Sequence, residues 1–489
     1  MYVHLLRSEL LLSDVILVPA TIDVLPEIAL LDIFDFYLYE EQIEAWHTLV
    51  HVCRKWRNVI FGSPHRLDLR LHCKARSPVR EMLDVWPLFP IAVWSNGHRT
   101  WGMDNVIAAL EHNDRICEMG LFDIPTSQLE KVLEAMTQPF PALTRLHLRS
   151  RHETAPVDPN LFLNGSAQRL QTLWLNCIPF PELPKLLLTA PHLVDLDLRR
   201  IPYSGYISPE EMVTGLSVLT RLERLLIGFE SPRSRPGQKS QRHGLPPPTR
   251  ALLPVLTKLC LFGVSEYLED FVAQIDAPLL NKLAITFFHR LIFHTPQLAK
   301  FISRTPKFEA QDEARVAFSD WDVSVALPYP SDGALELGVS CRQSEWQLSS
   351  LAQVCNLSFP QALIPAVEHL FIFEDGFPRP RWQDDIENSQ WLELFHPFTA
   401  VKYLYISSEF TPRIAPALQE LVTEKAAEVL PALQSLFLEE PSPSRPVQEY
   451  IGNFVVARRL AGHPIAVSRW ERKYSHPPLE TAKLNWAWE

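Results

Sequence analysis

A chain of 489 residues with 47% hydrophobic and 21% charged side chains has the composition of a globular protein, not a disordered one. Its formal charge of −11, from 46 Lys and Arg against 57 Asp and Glu, argues against a general nucleic-acid binder. Gly is scarce at 16 while Pro reaches 42 and Leu 72, which excludes collagen-like sequence and leaves few glycine loops to cradle a phosphate. The opening stretch, residues 1–21, is apolar but interrupted by Arg7, Glu9 and Asp14, and it lacks the basic start and cleavage site of a signal peptide. No run elsewhere approaches 18 uninterrupted apolar residues. The seven cysteines are scattered, no two within four residues, so neither a zinc knuckle nor a redox pair is visible. They are expected to be reduced core residues, which points to a cytoplasmic or nuclear setting.

Residues 22–66 read as a helical module. A first helix is predicted to open at Leu25-Pro26-Glu27, with Pro in the first turn and an acid at the positive helix end. Leu30, Ile33, Phe34, Tyr37 and Leu38 share one face. A second helix is predicted from about Gln42 to Ile60, with Ile43, Trp46, Leu49, Val50, Cys53 and Trp56 at three- and four-residue steps. Ala45, Val52 and Val59 form another apolar row, and two short helices cannot hide so many apolar faces by themselves.

In order, Leu25-Pro26, Ile33-Phe34, Val52-Cys53 and Trp56-Arg57 fall at the spaced positions of the F-box motif, which this segment resembles. The resemblance implies that Leu25, Pro26, Ile33, Phe34, Leu49, Val52, Cys53 and Trp56 dock on a Skp-type adaptor and, through it, a cullin. Two departures stand out. Ile28 occupies a place where many F-boxes carry an acid, and the stretch from Phe34 to Trp56 is a few residues longer than usual.

From Leu143 onward the pattern apolar-x-x-apolar-x-apolar recurs. It appears as Leu143/Leu146/Leu148, Leu170/Leu173/Leu175, Leu193/Leu196/Leu198, Leu222/Leu225/Ile227, Leu256/Leu259/Leu261 and Leu280/Leu283/Ile285. It returns as Val367/Leu370/Ile372, Val401/Leu404/Ile406 and Leu433/Leu436/Leu438. Successive offsets are 27, 23, 29, 34, 24, 87, 34 and 32 residues. The long gap has room for degenerate units, with strand-like alternation at 315–327 and 334–341. Helix-period stretches lie between, as in Leu129/Val132/Leu133/Met136, Tyr267/Leu268/Phe271/Val272/Ile275 and Leu418/Leu421/Val422/Val429. Strand then helix, repeated, predicts a parallel sheet on the concave side of an irregular solenoid over 67–440, helices outside. Residues 231–250, with five Lys/Arg, five Pro and no acid, read as a disordered basic insertion. Residues 441–489 read as a cap and tail, with a helix from Pro446 and an edge strand at His463–Trp470.

The fold class expected is therefore α/β: an N-terminal helical F-box module followed by an irregular leucine-rich-repeat solenoid. An F-box followed by leucine-rich repeats is the arrangement of a class of ubiquitin-ligase receptors. The stretches LPEIALLDIFDFY, WHTLVHVCRKWRNVIFGSPHRLDLRL, WQDDIENSQWLELFHPF and HPIAVSRW look like F-box proteins expanded in mushroom-forming fungi.

No Walker loop, GxGxxG, HExxH or GxSxG occurs. Asp312/Glu313 with Asp320 and Asp322, and Asp384/Asp385/Glu387, read as solvated or capping acids. His289 and His294 lack further ligands, and Trp321, Trp346, Trp382 and Trp391 read as core or cap residues. No catalytic residue, cofactor or metal is expected. In each repeat the residues alternating with Leu face away from the core. Early rows hold Arg145/His147/Arg149, Thr172/Trp174/Asn176 and Asp195/Asp197/Arg199. Late rows hold His369/Phe371/Phe373, Tyr403/Tyr405/Ser407 and Ser435/Phe437/Glu439. Trp174, Phe371, Phe373, Tyr403, Tyr405 and Phe437 are the expected target-binding residues, unless the tail with Trp470, Trp486 and Trp488 covers the late rows. The expected function is a non-catalytic substrate receptor of a Skp–cullin–F-box ubiquitin ligase, holding an unidentified target protein and engaging neither nucleic acid nor membrane. The alternative is an interaction scaffold or ligand sensor outside any ligase.

Overall fold

The computed structural model describes residues 25–471 except 41–44, 64–68, 77, 87, 97–101, 153–155, 159–161, 233–249, 289–292, 330–332, 342–343, 376–386, 422–428 and 440–444. The expectations for the extension 1–21, for most of the basic insertion and for the tail beyond Glu471 lie outside these residues.

Three helices come first: α1 (Glu27–Glu40), α2 (Ala45–Val52) and α3 (Arg54–Gly62). The second predicted helix is thus two helices, and Cys53 is the reason. Its backbone is extended (φ −158°, ψ 172°), and its Sγ accepts a hydrogen bond from the Trp56 N–H to cap α3. Arg57 Nε bridges the break by donating to the Val50 carbonyl, and Lys55 Nζ donates to the Leu25 carbonyl. Leu30, Phe34, Leu49, Val50, Val59 and Ile60 are buried at the centre.

Strands and helices then alternate: β1 (Leu69–His72), α4 (Val79–Val85), β2 (Ile91–Asn96), α5 (Met103–Leu110), β3 (Ile116–Ile124), α6 (Thr126–Ala135), β4 (Arg145–Ser150) and β5 (Thr172–Asn176). Next come α7 (Leu183–Leu187), β6 (Asp195–Ile201), α8 (Pro209–Leu216), β7 (Arg224–Phe229), β8 (Ala251–Leu252), β9 (Lys258–Gly263), α9 (Ser265–Ala273), β10 (Ile275–Asp276), β11 (Lys282–Phe288) and α10 (Pro296–Arg304). The remainder is β12 (Glu313–Phe318), β13 (Asp322–Tyr329), β14 (Gly333–Ser340), α11 (Ser344–Leu357), β15 (His369–Glu374), α12 (Asn388–Phe395), β16 (Tyr403–Ile406), α13 (Thr411–Glu420), β17 (Ser435–Leu438), α14 (Arg445–Leu460) and β18 (Ala466–Arg469).

Sixteen of these strands form one sheet, and β8 pairs separately with β10. From β1 to β11 the sheet strands lie parallel in chain order, and β15 to β18 do the same. Between them the order reverses to β11-β14-β13-β12-β15, and β13 runs antiparallel to both neighbours. Strands were expected at 315–327 and 334–341, but as degenerate repeats of a parallel array. The connections from Phe318 to Asp322 and from Tyr329 to Gly333 are too short for a crossover, so the chain can only turn back on itself there. The result is a meander joining two parallel ladders.

Each apolar position of the nine repeats is buried, none more than 5% exposed. Helices stack behind the sheet in chain order from α7 to α10 and from α11 to α14. Buried and half-buried polar side chains tie one repeat to the next. The Glu269 carboxylate accepts the N–H groups of Gln297 and Leu298 at the start of α10, both at 2.8 Å. Arg304 Nη2 donates to the carbonyls of Val272 (2.6 Å) and Ile275 (2.8 Å), and buried Arg458 spans the carbonyls of Leu430, Pro431 and Leu433. In the helical stretches, Leu129, Val132, Met136, Tyr267, Leu268, Phe271, Val272, Leu418 and Leu421 are buried as their spacing predicts.

Candidate docking surfaces

The N-terminal module leaves apolar side chains in solvent. Ile28 is 61% exposed, Val52 55% and Ile33 45%. Pro26 is exposed, while Leu25, Cys53 and Trp56 are half-buried. Phe34 and Leu49, which the sequence groups with the docking residues, lie in the interior. The Trp56 ring packs on Phe34 with centroids 4.8 Å apart and planes at 56°, so Trp56 supports the module from its edge. Ile28, the residue that departs from the motif, is the most exposed of these three apolar side chains.

The main sheet presents its second face away from the helices, and one row of residues crosses all sixteen strands on it in register. Its first third is His72, Trp94, Gly120, His147, Trp174 and Asp197. Leu226, Cys260, Ala284, Glu336, Ala326 and Arg315 continue it through the meander. Phe371, Tyr405, Phe437 and Ser468 complete it. The alternation of core-facing and outward residues along the repeat strands therefore holds, and Trp174 lies at one end of the outward row with Phe371, Tyr405 and Phe437 at the other.

At the first end, Trp94, Phe122, His147 and Trp174 form a continuous aromatic cluster. Trp94 stacks on Phe122 (5.6 Å, 21°), Phe122 meets Trp174 (5.7 Å, 50°), and His147 touches all three rings at 6.0–6.4 Å. Gly120 makes room for this: a Cβ there would fall 2.4 Å from Cε3 and Cζ3 of Trp94. Ion pairs fence the cluster. Arg199 binds both oxygens of Asp197 (2.8 and 2.7 Å) with its guanidinium 5.9 Å from the Trp174 ring centre. Arg224 pairs with Asp195 at 2.7 Å, Arg149 with Asp123 at 3.2 Å, and Arg145 with Glu118. Burial pushes the Asp197 carboxyl above the usual aspartate range against the opposing pull of Arg199. Burial also lowers His147, which leaves its imidazole neutral at pH 7.

At the other end the rings stack face to face. Phe371 and Tyr405 are 4.2 Å apart at 9°, and Tyr405 and Phe437 are 4.5 Å apart at 10°. One position earlier on the same face, His369 stacks on Tyr403 (4.5 Å, 25°), and His369 Nδ1 lies 3.3 Å from the Tyr405 hydroxyl. Phe373 is half-buried in the adjoining row, and Ser407 donates to Glu374 at 2.5 Å. Trp470 leans on the stack, its ring centre 5.8 Å from those of both Phe371 and Tyr405. The tail expected to cover these rows thus contributes one ring, and Trp486 and Trp488 lie outside the described residues.

Sequence reasoning missed Trp94 and Phe122, because the repeat pattern was recognised only from Leu143 onward. The available signal was the period-two alternation of IAVWSN and MGLFDI, in which Ile, Val and Met replace Leu. Trp391 is buried as expected, but Trp321, in the β12–β13 turn, and Trp346, in α11, are more than 40% exposed. Glu313 pairs with Arg315, and Asp322 is held by Ser319 inside the β12–β13 turn, which makes both structural acids. His289, Trp382, Asp384 and Asp385 lie outside the described residues. Among the described residues no group of three or more His, Cys, Asp or Glu is placed to hold a metal ion. No helix among them is long and apolar enough to cross a membrane.

No protein family model and no curated protein matches the sequence. Among solved structures, the chain is similar to the leucine-rich repeat-containing protein LegL7 from Legionella pneumophila, at 14% identity over 84% of this chain and the whole of that one, with a TM-score of 0.28.

Proposed function

We propose that this chain is a non-catalytic substrate receptor of a Skp–cullin–F-box ubiquitin ligase. In this reading the helices of residues 25–62 bind the adaptor and the open sheet face holds the target. The observation that carries it is the exposure of Ile28, Ile33 and Val52 on a small helical module beside a long repeat sheet. A helical module this small cannot bury all its apolar side chains by itself, and the three it leaves exposed are the ones a partner would cover. The work done is one of effective concentration: two binding surfaces on one body hold a target near a catalytic subunit carried by another chain. None of the seven cysteines is in a disulfide, as a reducing cytoplasm or nucleus would keep them.

Calorimetry with a purified Skp-type adaptor tests this reading. Ile33→Asp and Val52→Asp place a charge on exposed positions, so each should weaken binding by about 2 kcal/mol or more without lowering the melting midpoint. Trp56→Ala should lower the midpoint as well, through the loss of packing on Phe34. An intact, folded chain with no affinity for the adaptor would leave the scaffold alternative in its place.

A further inference from the structure

We infer that Phe371, Tyr405 and Phe437 form a site for an aromatic side chain of the target, and that Trp470 fills this site as a latch in the unbound chain. The assignment to a target rests on the receptor reading; the site and its occupant are properties of this chain alone.

The three rings stand in register on adjacent strands, so their inner faces are used up against one another and their edges form a ridge. Aromatic edges carry partial positive charge and accept the face of another ring in a tilted or T-shaped contact. Trp470 supplies such a ring, at 59° to Phe371 and 68° to Tyr405. Strand register alone does not put it there. Its N–H donates to the Leu438 carbonyl, which fixes its backbone beside β17, yet its ring reaches back across β16 to β15. Ser468, the residue of β18 in line with Phe437, brings no ring to continue the stack.

The segment that carries Trp470 is lightly held. All four residues of β18 are exposed, and Val467, in the apolar row behind Leu436, is 44% exposed. Releasing it uncovers little apolar surface beyond the indole itself, which places it among the parts of a fold that open locally. The charged side chains nearest in register, Arg315 and Glu313, pair with each other at 2.6 Å. The chemistry that fits is therefore a neutral aromatic side chain on an extended segment, with tryptophan as the nearest match because the chain already presents one.

The test uses the full chain and the peptide Ac-Gly-Ser-Trp-Ser-Gly-NH2. Trp470→Ala should tighten peptide binding about tenfold, the gain expected when a latch is closed about nine-tenths of the time. Adding Tyr405→Ala should abolish binding, and a control peptide with Ala for Trp should not bind. In parallel, full-length protein labelled with 5-fluorotryptophan, its Trp470 resonance assigned by Trp470→Phe, should show that resonance moving to a solvent-exposed shift as peptide is added. A Trp470 resonance that stays fixed at saturating peptide, or a folded Trp470→Ala chain with no gain in affinity, would make Trp470 a plain packing residue and overturn the inference. Adaptor affinity measured on the same samples separates this outcome from failure of the receptor reading, which predicts it unchanged throughout.

Discussion

Both ends of the open sheet face are aromatic, and they are built on opposite plans. Near β2–β5, Gly120 removes a side chain from the row, so Trp94 lies down over the backbone and the rings of Phe122, His147 and Trp174 interlock with it. Charged pairs then close the cluster's border. Near β15–β17 no position is vacated, and successive rings have only one another's faces to lie against. The first arrangement satisfies itself; the second leaves a ridge of edges that a further ring can take up. Aromatic content alone does not mark a docking site, and the geometry of the neighbouring backbone decides which cluster completes itself and which takes up a further ring, here Trp470.

That contrast can be broken by substitution. Gly120→Val should cost about 2–3 kcal/mol in chemical denaturation, because the new methyls displace the Trp94 ring and the packed cluster has no room to relax. Tyr405→Ala should cost only about 1 kcal/mol, the worth of two half-exposed stacking contacts. Equal costs at the two sites would mean that both clusters are core, and the proposed difference in role would fall.

A smaller effect sharpens the same comparison through pH. Burial holds Asp197 above the usual aspartate range, so the folded chain keeps this proton to a higher pH than the unfolded chain does. In that acid window the folded state binds more protons, and the stability contributed by this group falls as pH rises. Asp197→Asn removes the titration while keeping an acceptor for Arg199. Stability measured across the acid range should fall less steeply with rising pH in the variant than in the parent chain. The aromatic stack at the other end contains no such buried acid in its register row from Phe371 to Ser468, and Tyr405→Phe should leave the acid profile unchanged.

The parts of the molecule legible in the sequence are those where one residue type repeats at one period. The Leu triplets fix nine strands and, by alternation, the side chains of their outer face, which is why the spacing alone puts Phe371, Tyr405 and Phe437 in line. Three kinds of feature escaped. Strands β2 and β3 use mainly Ile, Val and Met where the repeat wants Leu, so the Trp94 cluster stayed hidden. The meander has the alternation of strands like any other, and only the shortness of its two connections reveals that the chain doubles back. The break at Cys53 interrupts a run of good helical periodicity through a single side-chain-to-backbone bond, which no pattern of hydrophobic residues reports. In the N-terminal module the motif could not separate interior Phe34 and Leu49 from exposed Ile33 and Val52, because on short helices buried and exposed residues share adjacent faces.

The central claim, that the helices before Gly62 are the surface joining this chain to a ligase, is tested most directly by hydrogen–deuterium exchange on the full chain with and without a saturating Skp-type adaptor. Added protection should be confined to residues 25–62, with exchange in β15–β17 unchanged. Protection that falls on the sheet and spares 25–62, or none anywhere, would contradict it.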